Sequence, residues 1–446
     1  MRHNVIALGR NYLLSLTGEG LQSGFHFILN LVLIRALTPY DYGLFGIIFI
    51  LGGIGLTYGN ALVSIPASVH MSKLKNLSFI RFQEVVFGSV AIGISTIFAV
   101  AITVVLGLAT GQILEALAGG AFVGTWTLRN HLRTVLFARG TAHAVTISDL
   151  GYSVSGIASV AALLWLESGA PKVVPVLAML AAANAISIGV ALISLATPVR
   201  ISFGRGMRRR YLAIWPEIKW SLIGVTTWTI QGQAPMFLVA AIVGPAAYAP
   251  IAAGLVLFSP LRPVVAAFIN VVRPELSAGL AEGRYEHIRF ALFSSFSAIV
   301  LCCLTFDVAI WFGWGFLGAH IFGDKFAGTS MPLIVTLAGI STILAQSYHT
   351  PLALVQAARQ FKNVALATTL GGFVGLCATV VFLFVAGIAW SLAGLAAGEA
   401  ACWVYLWLAA LRVLLKQPAP SASAARSGPE RNATPLDAGP LPAPQP

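Results

Sequence analysis

The residues able to do chemistry begin in the first turns of the chain. Tyr12, Ser15, Glu19, Gln22, Ser23, His26 and Asn30 fall within an arc of about 100° when placed on a helix at 100° per residue. Glutamate and histidine exchange protons, while hydroxyls and amides hydrogen-bond to sugars or to one another. Glu19 and His26 lie about 10.5 Å apart along such a helix. That is too far for a direct pair, but it suits two steps of a proton path. Further along, Arg129 and Arg133 stand four apart and share a helix face. Arg262 lies about 16 Å into its segment, measured from Arg273. A guanidinium stays charged, and its planar fork matches the oxygens of phosphate. Asp149 adds a carboxylate able to hold a coupling ion. Thr226, Thr229 and Gln233 line up with Lys219 on one helix face and offer uncharged partners for sugar hydroxyls. Asn60, Gln346 and His349 are weaker candidates. Asp307 and Glu399 each stand singly in an apolar run.

The elements that position these groups are set by composition. Only 9% of the 446 residues are charged and 58% are hydrophobic, against about 25% charged in a soluble domain. Mean hydropathy is +0.86. A soluble fold would lack the charge to cover its surface, whereas a chain whose outer wall faces hydrocarbon needs little. About twelve apolar segments, from 12–35 to 389–413, are each long enough to cross roughly 30 Å as a helix. The opening stretch has a broken apolar run and no small-residue cleavage site, so the first helix is expected to be retained. Cys302, Cys303, Cys377 and Cys402 lie in apolar stretches without metal-ligand spacing and read as small buried hydrophobes. No metal site and no cofactor is expected.

Alternation of the twelve segments sorts the basic residues. With the N-terminus in the cytoplasm, all of the 27 basic residues fall on cytoplasmic segments except Arg35, Lys172, Lys325 and the mid-span Arg262. Such bias sets both termini inside. The formal charge of +12 then needs no nucleic-acid partner. Anionic lipid is a sufficient attractor for the cluster at Arg205, Arg208, Arg209 and Arg210. An internal echo divides the chain. Leu37-Thr38-Pro39-Tyr40-Asp41-Tyr42 and Val243-Gly244-Pro245-Ala246-Ala247-Tyr248 both place Pro and Tyr three apart in a tight external turn. Ala138-Arg139 and Ala358-Arg359 form a second echo. The expected organisation is a six-helix lobe over 1–198, a basic cytoplasmic linker over 199–214, a second six-helix lobe over 215–415 and a disordered tail over 416–446. Two six-span halves running the same way leave a central cavity about an axis along the membrane normal.

The stretch Leu33-Ile34-Arg35-Ala36-Leu37-Thr38-Pro39-Tyr40-Asp41-Tyr42-Gly43-Leu44-Phe45-Gly46 resembles the signature of polysaccharide transporters. These are the O-antigen and exopolysaccharide flippases of the multidrug/oligosaccharidyl-lipid/polysaccharide (MOP) superfamily. Val243-Gly244-Pro245 with Tyr248, the turn Ile321-Phe322-Gly323-Asp324-Lys325-Phe326, and the small-residue string from Leu392 to Gly398 also fit. The resemblance covers about residues 5–415. It implies an all-α integral membrane protein with a MATE-like fold in the cell inner membrane. By implication, it would move an undecaprenyl-pyrophosphate-linked oligosaccharide from the cytoplasmic to the periplasmic leaflet by alternating access. The lipid bilayer and other polysaccharide-assembly proteins would be its partners. Many relatives carry an acidic residue in the middle of span 7. Here that stretch reads Thr229-Ile230-Gln231-Gly232-Gln233.

Each candidate keeps a structural alternative. A polar stripe within a span cannot face lipid, where a central charge costs about 2.5–3.5 kcal/mol even on the mildest scale. It either lines a wet cavity or joins helices through hydrogen bonds. Gln22, Asn30, Thr226, Thr229 and Gln233 suit both roles. Arg262 either contacts pyrophosphate or pairs with a carboxylate such as Glu19 or Asp149. Arg129 and Arg133 either meet the lipid pyrophosphate at the cytoplasmic mouth or serve as positive-inside anchors. Asp149 either holds an ion or pairs with a nearby arginine. Two other functions compete with the flippase. A cation-coupled drug exporter of the same superfamily would want an acidic, aromatic-lined cavity. A membrane enzyme would want a catalytic external loop, and the longest one, around 316–328, offers only His320, Asp324 and Lys325. No nucleophile motif, phosphate-binding loop or catalytic carboxylate pair is present, so no covalent chemistry is expected.

Overall fold

The computed structural model describes residues 2–72, 77–166, 172–195 and 201–415, with backbone only for 2–17, 19, 72, 77–80, 166, 217 and 220. Among the described residues the chain is helical throughout, with no strand. α1 (Arg2–Ala36), α2 (Pro39–Gly59) and α3 (Ile65–Ser72) open the fold, and a π-helical segment, Asn60–Ser64, joins the last two. α4 (Leu77–Thr110), α5 (Ile113–Ala138), α6 (Ala142–Leu166) and α7 (Val173–Leu195) complete the first half. α8 (Arg205–Ala213) is a short basic helix. α9 (Trp215–Gly232), α10 (Ala234–Leu257), α11 (Leu261–Glu282), α12 (Tyr285–Phe312) and α13 (Trp314–Leu317) follow. α14 (Met331–Ser347), α15 (His349–Ala357), α16 (Phe361–Ala386) and α17 (Ser391–Leu415) end the described chain.

Among the described residues, ten helices are long and apolar enough to cross a membrane, as expected of a multi-pass membrane protein. α1 and α5, which carry the polar stripe and the Arg129/Arg133 pair, are not among the ten. Together with α1, α5 and α9, the ten cover all twelve expected segments. Expected spans 215–241 and 246–271 are divided differently, for a local reason. Gly244 has φ 80° and ψ 169°, which only glycine adopts readily. It makes the tight turn inside α10, with Pro245 following. Pro235, Pro263 and Pro351 each lie in the first turns of a helix that begins after a break, where a missing N–H costs nothing. The breaks fall at Gln233, at Phe258 to Pro260, and at Tyr348.

In the first half α4 packs on α5, α5 and α6 on α7, and α1 on α6. In the second half α16 and α14 pack on α17, α9 on α16, and α11 on α12 and α15. α16 and α17 pack closely. A Cβ on Gly394 would stand 2.2 Å from the Thr379 amide nitrogen. Small residues let these backbones touch, the usual way helices associate where lipid removes the hydrophobic drive. Across the halves α2 packs on α10, and the two echoing turns meet there. Tyr42 and Tyr248 are both 1% exposed, and the Tyr42 hydroxyl is buried without a hydrogen-bond partner. Thr38 caps α2 by accepting from the Asp41 amide at 3.1 Å. Asp41 Oδ1 in turn accepts from the Val173 amide at 3.0 Å, fixing the turn to the start of α7.

One expectation about packing is corrected. Cys303 and Cys402 are buried, but Cys302 and Cys377 are exposed. Each exposed cysteine lies on the outer wall of a span, where a thiol costs little in apolar surroundings. The tail over 416–446, expected to be disordered, lies outside the described residues.

Candidate functional site

The first half holds a buried charge cluster beneath the polar stripe. Arg129, on α5, donates from Nη2 to Asp149 Oδ1 at 2.6 Å and to Gln22 Oε1 at 3.3 Å. Its Nε donates to Ser187 Oγ at 2.8 Å. Arg133 donates from Nε to Asp149 Oδ2 at 3.0 Å. Asp149 is fully buried and Arg129 is 3% exposed in its side chain. The i, i+4 spacing on α5 aims both guanidiniums at one carboxylate. The Asp149 side chain fits against α1 because residue 18 is glycine; a Cβ there would stand 2.8 Å from Asp149 Oδ2. Ser148 and Ser187 bond each other at 2.7 Å and tie α6 to α7 beside the pair.

His26 sits one step away. Its Nε2 is 3.4 Å from the Tyr152 hydroxyl, and its Nδ1 is buried with no partner. Arg129 Cζ lies 4.0 Å from the Tyr152 ring centroid, a cation–π contact. The His26 ring lies 5.7 Å from Trp126 and 5.4 Å from Phe49. Tyr152 therefore links the charge cluster to an aromatic box around the imidazole.

The second half has its own cluster, where its three helix breaks come together. Gln231, in the last turn of α9, donates from Nε2 to Glu399 Oε2 at 2.8 Å and to the Tyr348 hydroxyl at 3.2 Å. Tyr348 sits at the break between α14 and α15, and its ring packs edge-on to Trp228. Glu399 is 5% exposed. Arg262, in the first turn of α11, interacts electrostatically with Glu399 and Tyr348. Its surface is nevertheless exposed. Gln231 of α9 thus meets a carboxylate from α17.

The expected site residues are thus split between two places. Gln22, Arg129, Arg133, Asp149 and His26 come together in the first half. Arg262 lies in the second half and neighbours Glu399 rather than Asp149. Asp149, expected as an ion ligand or an arginine partner, binds two guanidiniums. The Glu19 side chain lies outside the described residues. Asn30 donates to the His26 carbonyl of its own helix at 2.8 Å. Asn60 accepts from Asn130 at 2.7 Å. Thr226 accepts from the Tyr58 hydroxyl at 3.0 Å, joining the halves. Thr229 Oγ1 and Gln233 Oε1 are buried without partners. Tyr152, Ser187, Gln231 and Tyr348 were not singled out. The only signal for Tyr152 was its i, i+3 spacing from Asp149 on α6.

A joint between the two halves, the Lys325 seal, lies at the C-terminal end of α1. Lys325 Nζ donates to the carbonyls of Ile34 at 2.6 Å and Arg35 at 2.8 Å, and also to that of Leu37. The last carbonyls of a helix have no partner within it and carry its negative pole. An ammonium from the second half therefore caps α1 of the first. Arg35 donates back to the His320 carbonyl.

No protein-family model matches the chain, and a search of curated proteins finds no relative. Solved structures share the fold. A multidrug resistance MATE family transporter of the MOP superfamily in an inward-facing conformation matches with a TM-score of 0.68 and 15% identity, over 91% of this chain and 96% of that one. An outward-facing MATE structure gives 0.53 and 16%, over 92% and 96%. A MOP superfamily transporter from Pyrococcus furiosus, whose binding pocket is described as having reverse polarity, gives 0.57 and 16%, over 92% and 96%. This chain has the all-α, multi-pass membrane fold that these MATE and MOP transporter structures share.

Proposed function

We propose that this chain is a transporter working by alternating access. Its substrate is an anionic lipid-linked oligosaccharide of the undecaprenyl-pyrophosphate type, carried from the cytoplasmic to the outer leaflet. The observation that carries the substrate reading is Arg262. It is an exposed guanidinium in the first turn of α11, in the electrostatic surroundings of Glu399 and Tyr348. Pyrophosphate suits the guanidinium, and Thr226, Thr229 and Gln233 suit the sugars. The buried, ion-paired Arg129 acts as a positioning residue rather than a free anion ligand. His26, with one nitrogen unpartnered inside the protein, is the first-half proton carrier, and Glu19 and Asp149 complete the path. No covalent step is assigned. The Lys325 seal and the closer match to the inward-facing structure support a state closed on the outer side.

A second reading has support of its own: the matching structures include multidrug transporters, and His26 lies in an aromatic box. In that reading the cargo is a small organic cation. Reconstitution separates the two. Proteoliposomes are given a fluorescent undecaprenyl-pyrophosphate glycan or a cationic dye, under an imposed proton or sodium gradient. Translocation of the glycan, reduced by Arg262→Ala, supports the flippase. Movement of the dye alone, unaffected by Arg262→Ala, overturns it in favour of the exporter.

A further inference from the structure

The basic linker helix has an outer face and an inner face. At 100° per residue, Arg205, Arg208, Arg209 and Leu212 fall within about 100° of arc, while Met207 and Tyr211 fall on the opposite side. All four on the first side are exposed, and the two on the second are half-buried. Among the described residues, no carboxylate pairs with Arg205, Arg208 or Arg209.

The depth of this helix is fixed by its contacts. The Ser202 amide donates to Ser89 Oγ of α4 at 2.9 Å, and the Phe203 ring lies against Gly93. Ser89 is about 12 Å along α4 from Arg81, well inside the apolar part of that span. Ile201 and Phe203 are nevertheless 53% and 64% exposed. Arg210 then stacks over the Phe82 ring, 4.3 Å from its centroid, nearer the start of the span. The linker thus runs along α4 with exposed apolar side chains beside the apolar part of that span and arginines nearer its start. That is the pattern of a helix lying in a membrane interface.

The inner face grips a defect in the second span. Residue 66 is proline, so it offers no N–H to the carbonyl of Leu62, four residues earlier. The π-helical segment Asn60–Ser64 lies over this point. The Tyr211 hydroxyl donates to the Leu62 carbonyl at 2.9 Å, filling the vacancy from another element.

We infer that α8 binds anionic phospholipid headgroups through Arg205, Arg208 and Arg209, and through Tyr211 holds the π-helical segment of the second span in place. Lipid charge thereby sets how firmly the inner end of that span is held. Polybasic segments at a bilayer gain affinity with every arginine added, and π-segments are common points of movement.

Hydrogen exchange on the full chain tests this without reference to transport. The chain is placed in nanodiscs of phosphatidylcholine alone or mixed with phosphatidylglycerol. The anionic lipid is expected to slow exchange several-fold in both 201–213 and 60–71. The triple variant Arg205→Gln, Arg208→Gln, Arg209→Gln removes the lipid response from both segments. Tyr211→Phe keeps it in 201–213 and removes it from 60–71. Unchanged exchange elsewhere shows that each variant has folded. Equal exchange in the two lipids overturns the lipid assignment, as does an equal effect of inorganic phosphate over neutral nanodiscs. A response at 60–71 that survives Tyr211→Phe overturns the coupling.

Discussion

Gly43 and Pro245 meet backbone to backbone. A Cβ on residue 43 would stand 1.8 Å from the Pro245 carbonyl oxygen, so the two echoing turns are held together by main chain. Gly43→Ala must push them apart and should cost about 1–3 kcal/mol or more, as overpacking does. Gly46→Ala, whose Cβ would lie 3.0 Å from Ala252, should cost less. Gly24→Ala, with nothing within 4 Å, serves as control. Thermal unfolding in detergent should rank them in that order, and equal midpoints for Gly43→Ala and Gly24→Ala would refute the contact.

The Arg129–Asp149 pair makes a prediction about asymmetry. Arg129→Ala leaves a buried carboxylate short of one partner and should destabilise the chain by about 3–5 kcal/mol. Replacing both, Arg129→Met with Asp149→Leu, removes this fully buried pair and leaves only the charge of Arg133, whose side chain is 15% exposed, so it should cost less. Unfolding midpoints of the single and double variants decide the point. A double variant weaker than the single would show that the cluster contributes more than charge balance.

Arg262 and Glu399 should act in opposite directions on an anionic substrate. Losing a charge-assisted contact of about 1.5–3 kcal/mol corresponds to roughly 10–100-fold, so Arg262→Ala should weaken binding of the pyrophosphate glycan by that factor. Arg262→Lys should fall between, since a point charge replaces a fork. Glu399→Gln keeps an amide near Gln231 but removes the competing charge, and should tighten binding. Tryptophan fluorescence titration reads all three. Weaker binding by Glu399→Gln would place that carboxylate in contact with substrate instead.

Lys325 gives a pH dependence. Burial among the α1 carbonyls holds its ammonium below the ordinary lysine value of 10.5. With the seal separated, the amine returns to water and to that ordinary value. The closed arrangement thus binds fewer protons between the lowered value and 10.5, and raising the pH through that window favours closure. Spin labels at Thr38→Cys and Thr329→Cys, in a background without native cysteines, should show the short-distance population growing across it. Lys325→Met should abolish that growth, and a population shrinking with pH would reverse the assignment.

The spans were legible in the sequence because an apolar run of 20 residues has few fates in a protein. The first-half cluster was half legible. The periodicity of α1 placed Gln22 and His26 on one face, and the spacing of Arg129 and Arg133 placed them together. What that face meets was not, since nothing in α5 says that Asp149 of α6 lies opposite. Gln231 and Glu399 stand 168 residues apart, and local pattern carries no information at that range. The breaks at Gln233 and Tyr348 were hidden because apolar character continues through them while the backbone does not. The prolines just beyond each break were the readable sign.

Tyr42 gives the seal an energetic counterweight. Its hydroxyl lies buried between the joined turns with no partner, and a buried polar group left unpaired costs about 1–3 kcal/mol. Parting the turns would let water reach that oxygen and lift the penalty. The closed form is therefore shallower than its packing alone would make it, and the gap to an open form narrows toward the few kcal/mol at which a minor state stays populated. One unmet hydrogen bond keeps that joint reversible.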